Sequence, residues 1–416
     1  MVKRQECIYS ICALVIIYFG TTFLVDRPFH HRFEKLLRNE EEKTKQKSNS
    51  SKATEKTKRV EYNNRGEEIG QISRAFTLWS GRSDAWCTNR DTYSKKKPTG
   101  LFYVKVPKTA STTSASVNLQ IAHRHGTKHG YRDDKCMDFH EHVTATNRGL
   151  GRRDKANSLL WTTLREPTKR SMSFVFFAKV SRQEKLEPTD ENIIKTLRDL
   201  EDDFQLNYIR TRDLPWKSNA KDKDKVASIA VKNVIEDYDF IALTERMDES
   251  FIAMKHLLNL DFGDIMYVSA KISGGWDGGR SEYGCMRIVP TFVSEGVGKF
   301  LESDEWQNKN SADFLLYEAA NHSLDKTIAQ FDKDEFEKEL EEYRSLLKSV
   351  QSVCEKKTIW RCAEDGTFSK YEAEKNCYTH DEGCGYPCID EYIRLYEEEK
   401  MSLSEVEERM SIWELG

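Results

Sequence analysis

Three short segments carry residue types whose spacing could do chemistry. In VKVPKTASTT, Val104 to Thr113, a lysine and a run of hydroxyls follow an apolar stretch. Lys108 offers a point charge to an anion, and Thr109, Ser111, Thr112 and Thr113 can donate hydrogen bonds beside it. Pro107 and Ala110 complete the loop. A helix beginning there would add free amide N–H groups and a positive dipole end, which suit a phosphate. A plain strand–loop–helix with a surface lysine fits the same letters. In LREPTKRSMSF, Arg165 precedes Ser173 by about two helical turns. Arginine can hold phosphate oxygens bidentately and serine can add a further bond, but a capping arginine with a surface serine reads equally well. In DFHEHV, His140 and His142 would point to one face if they lay on a strand. Such a pair can be a metal site, a core pair, or one base with a supporting neighbour. No acidic or histidine partner stands at a recognisable metal-ligand spacing, so no metal is assigned.

Alternating elements must position these residues. LFYVKV (Leu101–Val106) and LLWTTL (Leu159–Leu164) are short, apolar and β-rich, as buried strands should be. DYDFIALTE (Asp237–Glu245) predicts a third strand and IMYVSA (Ile265–Ala270) a fourth. SASVNLQIAHRH and ESFIAMKHLLNL have helical spacing, and Pro167 suits the first turn of another helix. The pattern predicts an α/β fold with a mainly parallel sheet flanked by helices. Phe336, Leu340, Tyr343 and Leu347 then mark one face of a long amphipathic helix, which leads into a cysteine-rich segment and a last acidic helix. The glycine-rich stretch Lys271–Arg280 reads as a surface turn or as a loop over a ligand.

The chain has 416 residues, 38% hydrophobic and 32% charged, with a net charge of −4, so no global basic field points to nucleic acid. Ile8 to Val25 contains no charged side chain and as a helix would span about 27 Å, near the thickness of a bilayer core. A cleaved signal peptide is the rival reading; the length of the run and the absence of a clear small-x-small site favour a retained anchor. Basic residues flank both ends, so the positive-inside rule does not orient it, whereas the short leading tail suggests a type II protein. The organisation expected is a tail (1–7), an anchor (8–25), a flexible charged stem (26–74), a catalytic domain (75–353) and a cysteine-rich extension (354–416).

Of ten cysteines, Cys7 and Cys12 lie at or inside the apolar run. Cys354, Cys362, Cys377, Cys384 and Cys388 crowd the C-terminal end. Disulfides in an oxidising compartment are expected, among these five alone or with one partner from the main domain; a zinc knuckle using Cys377, His380, Cys384 and Cys388 is the alternative. Asn49 and Asn321 head N-glycosylation sequons.

The loop lacks both glycines of GxxxxGK[ST], which argues against a nucleoside triphosphate kinase. PKTAST instead resembles the loop of carbohydrate sulfotransferases that use PAPS (3′-phosphoadenosine 5′-phosphosulfate), and REPTKRSMS is similar to their second motif. DFHEHV resembles a segment of the heparan sulfate and uronyl 2-O-sulfotransferases. DYDFIALTERMDESFIAMKHLLNLDFGDIMYV and DFLLYEAANHSLDKTI are similar to the galactose 3-O-sulfotransferases. The resemblance covers roughly Leu101 to Cys354, patchily; the tail after Thr358 has more cysteines than the pattern.

That resemblance implies a P-loop-like sulfotransferase fold, a Golgi membrane location and a lumenal catalytic domain. It also implies a galactose-containing glycolipid or glycan acceptor. His142 would be the base with His140 auxiliary, and Lys108 would stabilise the leaving phosphate. The loop Pro107–Thr113 would bind the 5′-phosphosulfate, and Arg165 with Ser173 the 3′-phosphate. Alternatives are a uronic acid 2-O-sulfotransferase and a lumenal glycan-binding protein without turnover.

Overall fold

Four short apolar strands pair in parallel in the spatial order β2-β1-β3-β4. They are β1 (Gly100–Val104), β2 (Asp138–Phe139), β3 (Ser158–Leu164) and β4 (Phe240–Leu243). This computed structural model describes residues 66–79, 86–87, 97–131, 135–183, 186–212, 223–270, 274–278, 284–369, 376–378 and 382–413. The apolar run 8–25, Cys7, Cys12, Asn49 and His380 lie outside the described residues. Among those described, no helix is long and apolar enough to cross a membrane.

Every residue of β1 and β3 is buried, as continuous apolar strands covered on both faces must be. Helices flank them: α1 (Ser111–Lys128), α2 (Pro167–Phe174), α3 (Phe204–Ile209), α4 (Met247–Leu258), α5 (Ser311–Ile328), α6 (Lys333–Lys357) and α7 (Tyr386–Ile393). α1 is tied to β3 by polar contacts inside the core. Ser114 Oγ meets Thr163 Oγ1 at 2.8 Å, and Trp161 Nε1 donates to Asn118 Oδ1 at 2.8 Å. Trp161 and Tyr103 are fully buried with ring centroids 4.5 Å apart, a contact that fixes β1 against β3.

The structure corrects two sequence expectations. Ile265–Ala270 is not a strand. A capping box of Asp261 and Asp264 winds Phe262–Ile265 into a helical turn, and the Tyr343 hydroxyl satisfies the Ile265 carbonyl that a ladder would have used. His140 and His142 do not share a strand either, because β2 ends at Phe139 after pairing with only Leu101 and Phe102.

The proposed boundaries at 74/75 and 353/354 do not coincide with breaks in the packing. Ile72 is buried, and Arg74 donates to the carbonyls of Ile235 and Tyr238 at 2.9 and 2.7 Å. Helix α6 runs unbroken across residue 354, and Ile389, Tyr392 and Ile393 of α7 belong to the same apolar core as the strands. Among the described residues four disulfides are present: Cys87–Cys136, Cys285–Cys362, Cys354–Cys388 and Cys377–Cys384. The pairing draws Cys285 from the main body, and Cys377, Cys384 and Cys388 are consumed as disulfides. Among the described residues no group of histidine, cysteine and carboxylate side chains could hold a metal ion.

Candidate active site at the strand ends

The chain runs from β1 to β2 on one side and returns to β3 on the other. The carboxyl ends of β1 and β3 therefore flank a switch point, where two successive connections diverge and leave a crevice. The Lys108 loop follows β1, and Arg165 follows β3. They meet: Arg165 Nη1 donates to the Lys108 carbonyl at 3.3 Å.

The loop gets its shape without glycine. Lys108 (φ 70°) and Ala110 (φ 55°) are both left-handed, a conformation that costs a side-chain-bearing residue roughly 1–2 kcal/mol. Thr109 between them is buried, and its hydroxyl donates to the Val106 carbonyl at 3.0 Å. Ala110 then starts α1 with no side-chain cap, so the amides of Ser111, Thr112 and Thr113 open the helix uncapped. A left-handed residue followed by helical ones makes a concave row of N–H groups, an anion-binding shape. Lys108 Nζ lies 3.6 Å over the Phe177 ring. Arg182 approaches the same ring at 4.9 Å. Phe177 sits in a π-helical stretch, Val175–Gln183, continuing from α2.

Arg165 is fixed from behind. The Gln205 side chain pairs with its backbone like a neighbouring strand, accepting from the Arg165 amide at 3.1 Å and donating to its carbonyl at 2.8 Å. Gln205 itself sits in the first turn of α3, whose amides at Gln205 and Leu206 donate to the buried Asp313 carboxylate at 2.9 and 2.8 Å. Burial pushes the Asp313 carboxyl up to about 7 despite those two amides. Arg165 Nε is buried without a hydrogen bond, 3.8 Å from Glu245 Oε1. Glu166 caps α2, accepting from the amides of Thr168 and Lys169. Ser173 lies on the last turn of α2, half-buried.

The two histidines have different surroundings. His142 is exposed, and its Nδ1 lies 2.7 Å from the Lys105 carbonyl. Only a protonated Nδ1 can bond a carbonyl, so in the neutral ring Nε2 is the basic nitrogen. His140 meets carboxylates at both ring nitrogens, Asp138 at 2.6 Å from Nδ1 and Glu382 at 3.4 Å from Nε2. Burial would raise the Asp138 carboxyl, but the hydrogen bond and charge of His140, together with Lys135, outweigh it and hold Asp138 below its ordinary range.

The structure thus joins the loop 107–113 to Arg165 and ties His142 to the Lys105 carbonyl, between the end of β1 and that loop. Sequence reasoning did not pick out Lys105, Gln205, Phe177, Glu245 or Glu382. Asp138 was visible two residues before His140, the spacing at which a carboxylate can orient an imidazole.

Asn321 lies in the middle of α5, half-buried, and its Oδ1 accepts from Arg246 at 2.8 Å. Its sequon partner Ser323 is buried, and the Ser323 hydroxyl donates to the Ala319 carbonyl at 2.7 Å. Of the glycine-rich stretch, Trp276 and Asp277 pair with Met286 and Arg287. A surface cleft of about 690 Å³ opens at the far end of α1, and none of the residues picked from the sequence lines it. No known protein family and no curated protein matches the chain.

Proposed function

We propose that the chain is a PAPS-dependent sulfotransferase acting on a sugar hydroxyl. The observation that carries this reading is the meeting of the Lys108 loop with Arg165 at the switch point between β1 and β3. The residues present suit such a donor. The uncapped amides of α1 and Lys108 offer a cradle for the 5′-phosphosulfate, and the orphaned Nε of Arg165 offers a donor for the 3′-phosphate, with Ser173 on the neighbouring helix. Glu245 opposes this last contact, so Arg165 must turn away from it on binding.

The donor supplies an activated sulfuryl group. Toward it, Lys108 stabilises charge developing on the leaving phosphate oxygen. His142 Nε2 takes the proton of the attacking hydroxyl, while the Lys105 carbonyl holds the ring in the tautomer that leaves Nε2 basic. The similarity of Asp237–Val268 and Asp313–Ile328 to galactose 3-O-sulfotransferases makes the 3-OH of galactose, on a glycolipid or glycoprotein, the acceptor we assign.

The nucleotide PAP is therefore expected to raise the melting temperature of the protein well above the shift given by AMP or ATP. Equal shifts with all three would remove the reading, because only PAP carries the 3′-phosphate.

The disulfides support an oxidising compartment, and we place the folded body in the Golgi lumen behind an anchor at residues 8–25. In intact microsomes the body should resist added protease until detergent is present. Digestion without detergent would refute the placement.

A further inference from the structure

The C-terminal segment reaches the ends of β1 and β2 with one acidic side chain. A disulfide joins Cys377 to Cys384, and residues beside both cysteines contact α1. The Tyr378 hydroxyl donates to Gln120 Oε1 at 2.9 Å, and the Gly383 amide donates to Ser116 Oγ at 2.8 Å. The Tyr378 ring stacks on His123 with centroids 3.8 Å apart, and the Gly385 amide folds back onto the buried Asn376. Held in this way, Glu382 faces two basic side chains with its two oxygens. Oε1 pairs with Lys105 Nζ, and Oε2 faces His140 Nε2. Lys105 is only 8% exposed, so its ammonium is a buried charge that needs a counter-ion. The carbonyl of the same residue receives His142 Nδ1.

We propose that Glu382 is a positioning residue for His142, fixing through Lys105 the carbonyl that orients the imidazole, so that the tail residue Glu382, beside the Cys377–Cys384 disulfide, is part of the catalytic site. The proposal rests on the sulfotransferase reading for what His142 does, and on the contacts above for how it is held.

The segments meeting here bring Lys105 and Lys108 from beyond β1. Lys135, Asp138, His140 and Glu141 come from around β2, Arg148 from over Phe139, and Glu382 from the tail. Glu382→Gln keeps the shape and removes the charge that balances the Lys105 ammonium; the uncompensated cation, on the residue whose carbonyl holds His142, disfavours protonation of the ring.

Followed by NMR in the full chain, the His142 ring should titrate lower than in the parent by about half a pH unit or more. PAP binding should stay within about two-fold, while turnover falls about ten-fold and the acid limb of kcat/KM moves down with the titration. Glu382→Asp should give an intermediate shift. An unchanged His142 titration in Glu382→Gln overturns the proposal, as does a loss of PAP binding as large as the loss of turnover. Should Glu382→Gln fail to fold, Glu382→Asp decides alone: its shorter reach loosens Lys105 and must still lower the titration, and an unchanged value overturns the proposal. If the parent chain transfers no sulfuryl group from PAPS, the functional reading fails, while the titration still decides the role of Glu382.

Discussion

His142→Ala is expected to bind PAP within about two-fold of the parent and to lose about 100-fold or more in turnover, the usual scale for a missing general base. The separation of the two effects follows from where the ring sits. His142 is exposed and its Nδ1 meets the Lys105 carbonyl, so truncating it removes little packing. The loop amides, Lys108 and Arg165, which are proposed to hold the nucleotide, are held by other contacts. A 100-fold loss corresponds to about 2.7 kcal/mol of transition-state stabilisation. Lys108→Ala should behave differently, weakening PAP binding and turnover together, because that side chain is placed to touch the donor before reaction as well as during it. Arg165→Ala should harm mainly donor affinity. Near-normal turnover in His142→Ala, measured with saturating donor, would exclude His142 as the base. His140 could not simply inherit the role, since both its ring nitrogens already face carboxylates.

The loop and the strands around it were legible because their signals are local. Leu101–Val106 and Leu159–Leu164 announce buried strands by composition, and the structure finds β1 and β3 within two residues of those bounds. The helix expected from SASVNLQIAHRH is present, and it begins three residues earlier, at Ser111 inside PKTAST. Periodicity failed where a partner was needed. His140 and His142 alternate as a strand would, but β2 has only Leu101 and Phe102 to pair with, and the carboxylates of Asp138 and Glu382 then claim the first ring. Ile265–Ala270 has strand composition but meets the Tyr343 hydroxyl instead of a neighbouring strand. Gln205 and Glu382 could not be found by spacing at all. Gln205 reaches Arg165 across forty residues and Glu382 reaches Lys105 from the tail, contacts created only when distant segments pack. The left-handed Lys108 and Ala110 were equally hidden, because the sequence offers no glycine there to announce a positive φ.

Replacing Cys354 and Cys388 together by alanine is expected to lower the unfolding free energy by roughly 4 kcal/mol. The bond closes a loop over a sequence separation of 34, and freeing that loop in the unfolded chain accounts for most of the loss in the chain-entropy view. Both cysteines are fully buried, where the end of α6 meets the start of α7, so no solvent contact offsets the change. What the bond holds is part of the main core. Ile389, Tyr392 and Ile393 pack with the strands, the Tyr392 and Ser349 hydroxyls meet at 2.5 Å, and Asp390 accepts from Gln120 and Arg124 of α1. A detachable extension would behave otherwise: breaking its staple would leave the main transition where it was and add a separate, weaker one. Urea unfolding followed by tryptophan fluorescence and by far-ultraviolet circular dichroism distinguishes these outcomes. A single transition, coincident in both signals and moved to lower urea, is expected for the alanine pair. Two separated transitions, or a loss below about 1 kcal/mol, would show that residues beyond Cys354 fold apart from the sheet; the Glu382 contact would then lack the rigid support it needs to hold Lys105.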